Sequence, residues 1–241
     1  MINRLFRRFT TGPEFPAIAP ERPFIALGDL HGRADLLARF LDRGPAHPLI
    51  CVGDYVDRGD HSADVLRMLA GRPDIICLSG NHEEMMLNFI DAPEESGARW
   101  LRYGGLQTLA SFGVAGVTDS SSPAALAGAR DALRDAMGEP LIAWMRALEA
   151  RWQSGNVAVV HAGANPARTI EDQRKQTLHW GHPDFARRVR TDGIWVVHGH
   201  TIVDEPRTAN GRIAIDTGAY TTGILTAALI EPGQATFAAI R

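Results

Sequence analysis

The 241-residue sequence has little of several residue types and patterns, and each shortage excludes a class of protein. It has two cysteines, Cys51 and Cys77, each inside an apolar stretch, which indicates buried thiols rather than a disulfide and suits a reducing compartment. Its formal net charge of -3 provides no basic surface for nucleic acid. No apolar stretch has the length of a membrane span, and no secretory signal pattern is present. We therefore expect a cytoplasmic protein that neither binds nucleic acid nor spans a membrane.

The sequence does contain a series of short apolar stretches that each end in glycine and polar residues. Three of them, at residues 24–32, 49–59 and 74–83, alternate with amphipathic helical patterns. This alternation predicts a parallel sheet with helical crossovers, in which ligands collect at the carboxyl edge. Two further stretches, at residues 156–163 and 193–201, end in histidines. Residues 212–218 and 224–230 have the pattern of a closing hairpin.

The middle of the chain has a different pattern. Within residues 91–151, helical periodicity covers residues 98–112, 124–137 and 140–151, which predicts a helical insertion beside the site. We interpret the tryptophans and methionines of this insertion, Trp100 among them, as core residues. Residues 1–22 form a Pro-containing leader, and we expect a single domain over residues 1–241.

Five strand ends provide side chains that can bind a metal: Asp29, His31, Asp54, Asp57, Asn81, His82, His161, His198 and His200. A single histidine at a strand end is usually a structural residue, but five strand ends with the same pattern favour a common site. Imidazole, carboxylate and amide ligands without thiolate suit manganese, iron or zinc. Two divalent ions against the two carboxylates of Asp29 and Asp54 leave a positive site, which suits a phosphate dianion.

The motifs at these strand ends resemble those of a known family. Gly-Asp-Leu-His-Gly at residues 28–32, Gly-Asp-Tyr-Val-Asp-Arg-Gly at 53–59 and Gly-Asn-His-Glu at 80–83 are similar to the three hallmark motifs of phosphoprotein phosphatases. His-Ala-Gly at 161–163 and Gly-His-Thr at 199–201 resemble the two downstream histidine motifs. The family belongs to the calcineurin-like metallophosphoesterases, and the resemblance is greatest to the bacterial serine/threonine phosphatases. It implies a four-layer α/β/β/α sandwich with a helical insertion.

The resemblance also implies roles for individual residues. It implies two divalent metal ions, with manganese expected and iron or zinc as alternatives, held by Asp29, His31, Asp54, Asn81, His161 and His200, with Asp54 bridging both. Arg58 would bind the phosphate oxygens. His82 would protonate the leaving group, with Asp57 behind it. The implied mechanism is direct attack by a metal-bridging hydroxide without a phosphoenzyme.

One stretch departs from the family pattern. Relatives usually carry Leu-Trp-x-Arg, in which the arginine is a second phosphate ligand, whereas residues 178–182 read Leu-His-Trp-Gly-His. His182 stands at the position of that arginine, and we expect it to contact substrate more weakly, unless Arg187, Arg188 or Arg190 replaces it. We interpret His198 as a supporting or structural residue rather than a ligand.

Three functions fit these observations. The first is a phosphomonoesterase acting on phosphoserine or phosphothreonine in proteins. The second is a symmetrical diadenosine tetraphosphate hydrolase or another small-molecule phosphoesterase, a branch that typically has alanine in place of Asp57 and aspartate in place of Glu83. The third is a phosphoprotein-binding scaffold without activity, which usually lacks metal ligands that this sequence keeps. The residues favour the first.

Overall fold

The computed structural model describes residues 15–241, so most of the predicted leader lies outside the described residues. The part that is described, residues 15–22, packs against the body of the protein. The ring of Phe15 lies edge-to-face on Trp195, and Ile18 is buried. The side chain of Asn156 accepts a hydrogen bond from Ala19 N and donates one to Ala17 O.

Residues 15–241 form two five-stranded sheets. The first has the order β10-β9-β1-β2-β3, with strands Phe24–Leu27 (β1), Leu49–Cys51 (β2), Ile76–Cys77 (β3), Leu225–Glu231 (β9) and Gln234–Ile240 (β10). The second has the order β4-β5-β6-β8-β7, with strands Arg151–Ser154 (β4), Val157–Val160 (β5), Trp195–His198 (β6), Arg207–Ala209 (β7) and Arg212–Ala214 (β8). β1, β2 and β3 run parallel, as do β5, β6 and β8, so their carboxyl ends share an edge.

Helices follow the first three strands and fill the middle of the chain. They are Ala34–Leu41 (α1), Ser62–Ala70 (α2), Asn81–Asp91 (α3), Pro93–Trp100 (α4), Leu106–Ser111 (α5), Pro123–Met137 (α6), Glu139–Arg146 (α7), Lys175–Trp180 (α8) and Ala219–Thr222 (α9). A π-helical turn, Leu101–Gly105, separates α4 from α5. The segment predicted as one helix over residues 98–112 is therefore interrupted. The helix predicted over residues 140–151 ends at Arg146, and residues 151–154 form β4, which pairs antiparallel with β5.

The layers are held together by three apolar clusters. The largest packs the helices on one face of the first sheet. The second lies between the sheets, where Ala26 and Ile50 of the first meet Val159 and Val197 of the second. The third covers the outer face of the second sheet with Leu178 and Phe185. Strands buried on both faces explain the continuous apolar runs in the sequence. The predicted α/β sandwich is confirmed; the division into a single domain over residues 1–241 stays a prediction.

The predicted closing hairpin is wrong. β8 belongs to the second sheet, where it pairs with β6 and β7, whereas β9 belongs to the first sheet and pairs with β1 and β10. The chain thus passes from one sheet to the other between Asp216 and Gly223, directly beside the predicted site. Among residues 15–241, no helix combines the length and apolar character that crossing a membrane requires.

Candidate metal centre and active site

The predicted site residues lie on sharp turns after the strands. Among the described residues, positive φ angles outside glycine occur at His31, Asp54, Asp57, Arg58, His200 and Asn210. Five of these six are predicted site residues. Such conformations are uncommon for residues with a side chain and persist where the surroundings impose them, often at functional sites. The backbone is therefore bent where these side chains must point to one place.

Two glycines allow the backbone to approach the carboxylates closely. A Cβ atom at Gly80 would overlap Asp54 Oδ1, and one at Gly199 would overlap Asp29 Oδ1. Each glycine comes directly before a predicted ligand, Asn81 or His200. The motifs therefore need glycine at these positions because any side chain there would displace a carboxylate oxygen.

The structure brings the predicted metal ligands together around Asp54. His31 Nε2 lies 3.5 Å from Asp54 Oδ2, and His161 Nε2 lies 3.3 Å from Asp54 Oδ1. Two sets of residues have ligand atoms within 4.8 Å of one another and share this carboxylate: His31, Asp54 and His82, and Asp54, His161 and His200. A carboxylate shared by two sets is the arrangement that a bridging ligand requires. His82, predicted as an acid, falls within reach of the first set.

Asn81 joins the second set. Its Oδ1 lies 2.9 Å from His161 Nε2 and 2.8 Å from His200 Nδ1, and these two nitrogens are 3.2 Å apart. His161 Nδ1 is held by the carbonyl of Val52 and His31 Nδ1 by the carbonyl of Val56. A backbone carbonyl that binds one ring nitrogen leaves the other free to bind a metal, as in known metal sites.

The charges of the site suit a cation. Asp29 Oδ1 is the one buried side-chain oxygen or nitrogen without a hydrogen-bond partner among residues 15–241. Burial and the nearby carboxylates of Asp216 and Asp54 raise the pKa of Asp29 well above its usual range. Burial alone would also raise the pKa of Asp54, but His161 and the other histidines around it hold that pKa well below its usual range. An unpartnered oxygen and clustered buried carboxylates fit divalent ions with oxygen and nitrogen ligands.

One of these carboxylates, Asp216, was not among the predicted site residues. Asp216 is buried, and its Oδ1 accepts a hydrogen bond from Gly218 N. It follows β8 with the sequence Asp-Thr-Gly, which repeats the strand, carboxylate and glycine pattern of the other motifs. The pattern is recognisable in the sequence, but residues 212–218 were assigned to a closing hairpin, and Asp216 was therefore not considered as a site residue.

His82 and Asp57 form a buried pair at the edge of the cluster. His82 Nδ1 lies 2.6 Å from Asp57 Oδ2, and His82 Nε2 lies 3.9 Å from Asp54 Oδ2. Burial would lower the pKa of His82, but Asp54 and Asp57 outweigh it and raise that pKa above its ordinary value. The imidazole thus has one nitrogen fixed by a carboxylate and the other facing the candidate metal site.

Glu83 fixes the turns that carry the ligands. Its carboxylate accepts hydrogen bonds from the backbone N–H groups of Asp54 at 2.8 Å, Tyr55 at 2.7 Å and Gly80 at 2.8 Å. Burial, followed by the charge of Asp54, raises the pKa of Glu83 to about 7. Because one side chain holds both turns, the glutamate of the Gly-Asn-His-Glu motif supports the spacing between Asp54 and Asn81.

Arg58 lies at the mouth of the site and is partly exposed. Its guanidinium lies over the ring of Tyr220, 4.9 Å from the centroid, and the same ring lies edge-to-face on His31 at 5.2 Å. Within residues 15–241 it has no carboxylate within ion-pair distance, so its donors are available for an anion. Tyr220, on α9, was not predicted because an isolated tyrosine carries no recognisable sequence signal.

Two of the residues considered for the second phosphate contact, His182 and Arg190, have local hydrogen-bond partners. His182 is outside both sets of possible ligands, and its Nδ1 accepts a hydrogen bond from Asp184 N. Arg190 is buried, and its guanidinium binds Asp192 and the carbonyls of Asn165 and Arg168. These contacts give Arg190 a structural role.

His198 differs from its neighbour His200. Its ring packs edge-to-face on Phe185, 4.9 Å between centroids, and its Nδ1 is 3.1 Å from the carbonyl of Gly199. It lines a cavity of about 270 Å³ on the outer side of the second sheet, together with Phe185 and Arg212. These contacts agree with the structural role predicted for His198.

A second histidine–carboxylate pair lies close by, and it was not predicted. His179, on α8, is buried, with its Nδ1 2.5 Å from Glu84 Oε2 and its Nε2 2.9 Å from the hydroxyl of Ser79. The ring of Trp180, the next residue, lies under the guanidinium of Arg99 at 5.0 Å. This pair ties α8 to α3 and to the turn after β3.

Comparison with known proteins identifies the family. The model of the calcineurin-like phosphoesterase family matches residues 22–204, so the chain belongs to this family, and the resemblance noted from the motifs is confirmed. The chain is a metal-dependent hydrolase that acts on phosphoester bonds.

Individual relatives differ in the activity for which they are named. Serine/threonine-protein phosphatase 2 of Escherichia coli is 41% identical over 83 residues, which are 33% of this chain and 37% of that protein. The asymmetrical bis(5'-nucleosyl)-tetraphosphatase PrpE of Geobacillus thermodenitrificans is 27% identical over 83% of this chain and 87% of its own. The chain thus matches little more than a third of the length of the first relative and most of the second.

A solved structure shows the same fold at low identity. A crystal structure named provisionally as a diadenosine tetraphosphatase superposes with a TM-score of 0.60 at 20% identity, covering 93% of this chain and 98% of that chain. At this identity the likeness concerns the fold alone.

Proposed function

We propose that the protein is a phosphomonoesterase that hydrolyses phosphoserine and phosphothreonine in proteins. The observation that carries this proposal is the buried His82–Asp57 pair beside Asp54. An alkoxide leaving from serine or threonine is a strong base, so it needs a proton as the bond to phosphorus breaks. A nucleotide leaving through a phosphate oxygen is a weak base and needs much less help. A site that keeps a carboxylate-oriented imidazole is therefore suited to phosphate esters of alcohols.

We propose that the ligand set holds two divalent ions. Asp29 and His31 would hold one, Asn81, His161 and His200 the other, and Asp54 both, with manganese expected and iron or zinc as alternatives. When bound, such ions neutralise phosphate charge and make water more acidic. The unpartnered Oδ1 of Asp29 and the absence of a cysteine from the two ligand sets of the described residues support this assignment.

The chain's own groups would bind phosphate and move the proton. Arg58 would bind two phosphate oxygens with its planar guanidinium, which the ring of Tyr220 holds from below. His82 would donate its Nε2 proton to the leaving oxygen, while Asp57 holds Nδ1 and stabilises the imidazolium before transfer. The predicted contact of His182 with phosphate stays a prediction, and Nε2 is the nitrogen it would use, since Nδ1 binds Asp184 N.

A second candidate function is hydrolysis of bis(5'-nucleosyl) tetraphosphates. The match to PrpE supports it, because that match extends over 83% of this chain, whereas the match to the serine/threonine phosphatase covers 33%. The Asp57–His82 pair favours a phosphoserine or phosphothreonine substrate. The extent of the match to PrpE favours a nucleotide substrate.

Turnover measurements separate the two candidates. Protein reconstituted with manganese, iron or zinc is assayed with a phosphoserine peptide, diadenosine tetraphosphate and 4-nitrophenyl phosphate. We expect kcat/KM for the phosphoserine peptide to exceed that for the dinucleotide. The opposite order would overturn the proposal in favour of the nucleotide substrate.

The metal assignment has a test that does not depend on activity. Asp54→Asn removes the shared carboxylate charge, so elemental analysis should find at least one bound ion per chain fewer than in the wild type. Asp64→Asn, on the exposed side of α2, is the matched control and should keep the full content. Unchanged occupancy in Asp54→Asn would refute the shared position.

A further inference from the structure

The carboxylate of Asp57 accepts hydrogen bonds from two residues of the helical insertion in addition to its contact with His82. Trp100 Nε1 lies 3.0 Å from each of its oxygens, and Thr108 Oγ1 lies 2.7 Å from Oδ1. Asp57, Trp100 and Thr108 are all completely buried. With His82, the carboxylate therefore accepts from three donors that enclose it and fix its orientation.

Thr108 holds the backbone of Asp57 as well as its side chain. Its hydroxyl donates to Oδ1 and accepts from Asp57 N at 2.8 Å. The hydroxyl of Ser62 lies 3.1 Å from the same N–H group and 3.2 Å from Thr108 Oγ1. Asp57 has a positive φ of 71°, so these contacts stabilise a backbone conformation that the residue would not prefer by itself.

The π-helical turn Leu101–Gly105 brings the two donors to one carboxylate. In an unbroken α-helix, residues eight positions apart are separated by about 12 Å along the axis, and their side chains point about 80° apart. Here Gly104 has a φ of 111°, which interrupts the helix between Trp100 and Thr108. π-helical turns of this kind often occur at functional sites. The interruption lies between the two donors, and with it both Trp100 and Thr108 reach the same carboxylate.

The same turn is fitted to the residue that follows Asp57. Gly104 accepts a hydrogen bond from Arg58 N at 3.3 Å, and a Cβ atom at Gly104 would lie 2.6 Å from that nitrogen. A Cβ atom at Gly105 would lie 2.6 Å from the indole of Trp100. The turn therefore contacts both Trp100, which donates to Asp57, and the backbone of Arg58, the proposed phosphate ligand.

Trp100 also has an ordinary structural role, since it packs on Phe89 with 4.7 Å between ring centroids. A buried indole N–H always needs an acceptor, and many tryptophans satisfy it with a carbonyl. What distinguishes Trp100 is the choice of acceptor. The carboxylate that Trp100 binds is also bound to His82 and Thr108. A movement of this carboxylate would therefore move the imidazole of His82 as well.

We propose that Trp100 and Thr108 are positioning residues for the general acid, which hold Asp57 so that His82 faces the leaving group. This inference rests on the proposed function of His82. It assigns the helical insertion, residues 91–151, a direct part in the reaction: its π-helical turn determines the orientation of the acid although none of its residues is a predicted ligand or acid.

The leaving group provides the readout that separates positioning from stability. Trp100→Phe keeps most of the buried ring but removes Nε1–H. We expect kcat to fall about tenfold for phenyl phosphate, whose leaving group needs a proton, and by less than about threefold for 4-nitrophenyl phosphate. Trp144→Phe is the matched control, because this tryptophan packs against Tyr55 and does not contact Asp57. It should leave both rates within about twofold of the wild type.

Thr108 allows a rescue experiment. Thr108→Val keeps the shape and removes the hydroxyl, so it should show the same selective loss on phenyl phosphate. Thr108→Ser restores the hydroxyl and should recover most of the rate. Melting temperature and metal content are measured for every variant to show that it is folded and metal-loaded. A purely structural effect would lower the rates on both substrates equally, and the ratio of the two rates would then be the same for the serine and valine variants.

The possible results are decisive for the inference and separate it from the proposed function. Equal losses on the two substrates in folded, metal-loaded Trp100→Phe and Thr108→Val would overturn the positioning role. If His82→Asn itself shows no leaving-group dependence, the assignment of the acid fails, and the inference with it. If the wild type shows no phosphomonoesterase activity, the proposed function fails before any variant is compared.

Discussion

Two histidine–carboxylate pairs, His82–Asp57 and His179–Glu84, lie in neighbouring parts of the molecule. Their Nδ1–carboxylate distances are 2.6 and 2.5 Å, and both imidazoles are buried. They differ at the other ring nitrogen. His82 Nε2 faces the ligand cluster, 3.9 Å from Asp54, whereas His179 Nε2 is 2.9 Å from the hydroxyl of Ser79. A carboxylate behind an imidazole is thus no sign of catalysis unless the second nitrogen faces the reacting atoms.

The surroundings of the two carboxylates differ as well. Asp57 is completely buried and accepts from three side-chain donors, whereas the side chain of Glu84 remains about 33% exposed. His82 and Glu84 are separated on α3 by Glu83, which holds the backbone turns of Asp54 and Gly80. Three successive residues of α3 therefore have different roles. His82 is the proposed acid, Glu83 binds the backbone of the turns that carry the ligands, and Glu84 binds α8 through His179.

The largest expected contrast is in turnover when each imidazole is removed. His82→Asn should lower kcat for a phosphoserine peptide about 10²–10⁴-fold, the range for loss of a general acid. His179→Asn should change kcat less than about threefold, because its ring nitrogens already have structural partners. Steady-state assays on both variants, with metal content determined in parallel, test this contrast. Similar losses in the two variants would remove the distinction between the pairs.

The carboxylates should show a smaller contrast of the same kind. Asp57→Asn keeps the shape but replaces a charge that stabilises the imidazolium, so we expect kcat to fall about 10–100-fold on phenyl phosphate. Glu84→Gln should alter kcat less than about twofold. The pH–rate profile gives the check: burial would lower the pKa of His82, but Asp54 and Asp57 raise it. Removing the Asp57 charge should therefore move the alkaline limb, where the acid loses its proton, to lower pH.

The sequence predicted the first of these pairs and not the second, for a physical reason. Asp57 and His82 lie in two short motifs, each at the end of an apolar strand, and parallel strands bring such ends together. Glu84 and His179 are 95 residues apart, and His179 lies in a six-residue helix with no pattern that indicates its partner. Contacts of that kind depend on how α8 packs, which no local pattern specifies.

The other correct and incorrect predictions have the same physical cause. The ligand cluster around Asp54 was predictable from strand ends, whereas the closing hairpin was wrong because β8 and β9 are both apolar strands with glycines between them. Local pattern does not show which sheet each strand joins. Trp100 was interpreted as core, and it is buried, but its N–H bond to Asp57 depends on the π-helical turn. Asp216 repeats the motif pattern and could have been found.

The His179–Glu84 pair should matter more for stability than for turnover. His179→Ala removes the hydrogen bonds that the imidazole makes with the hydroxyl of Ser79 and the carboxylate of Glu84. We expect the free energy of unfolding to fall by about 1–3 kcal/mol. Urea unfolding of His179→Ala, Ser79→Ala and the double variant measures how much of the loss comes from the Ser79–His179 bond. Fully additive losses would argue against an energetic link between these two residues.

The smallest effect concerns pH and Glu84. The hydrogen bond from His179 lowers the pKa of this carboxyl below its ordinary value of 4.5. A folded-state pKa below the unfolded value contributes stability that is fully present above about pH 4.5 and is lost as pH falls through the folded-state pKa. Because Glu84 is partly exposed, solvent screening limits the contribution to less than about 1 kcal/mol, or at most about 3 °C in melting temperature.

Thermal unfolding of the wild type and Glu84→Gln between pH 3 and 7 measures this contribution. We expect the wild type to melt higher by a constant amount above about pH 4.5, and the difference to shrink as the carboxyl is protonated below it. In a His179→Phe background the main cause of the lowered pKa of Glu84 is absent, so the same Glu84→Gln comparison should lose most of this pH dependence. A difference that persists unchanged to pH 3, or that survives in the His179→Phe background, would show that Glu84 stabilises the protein by contacts other than its hydrogen bond with His179.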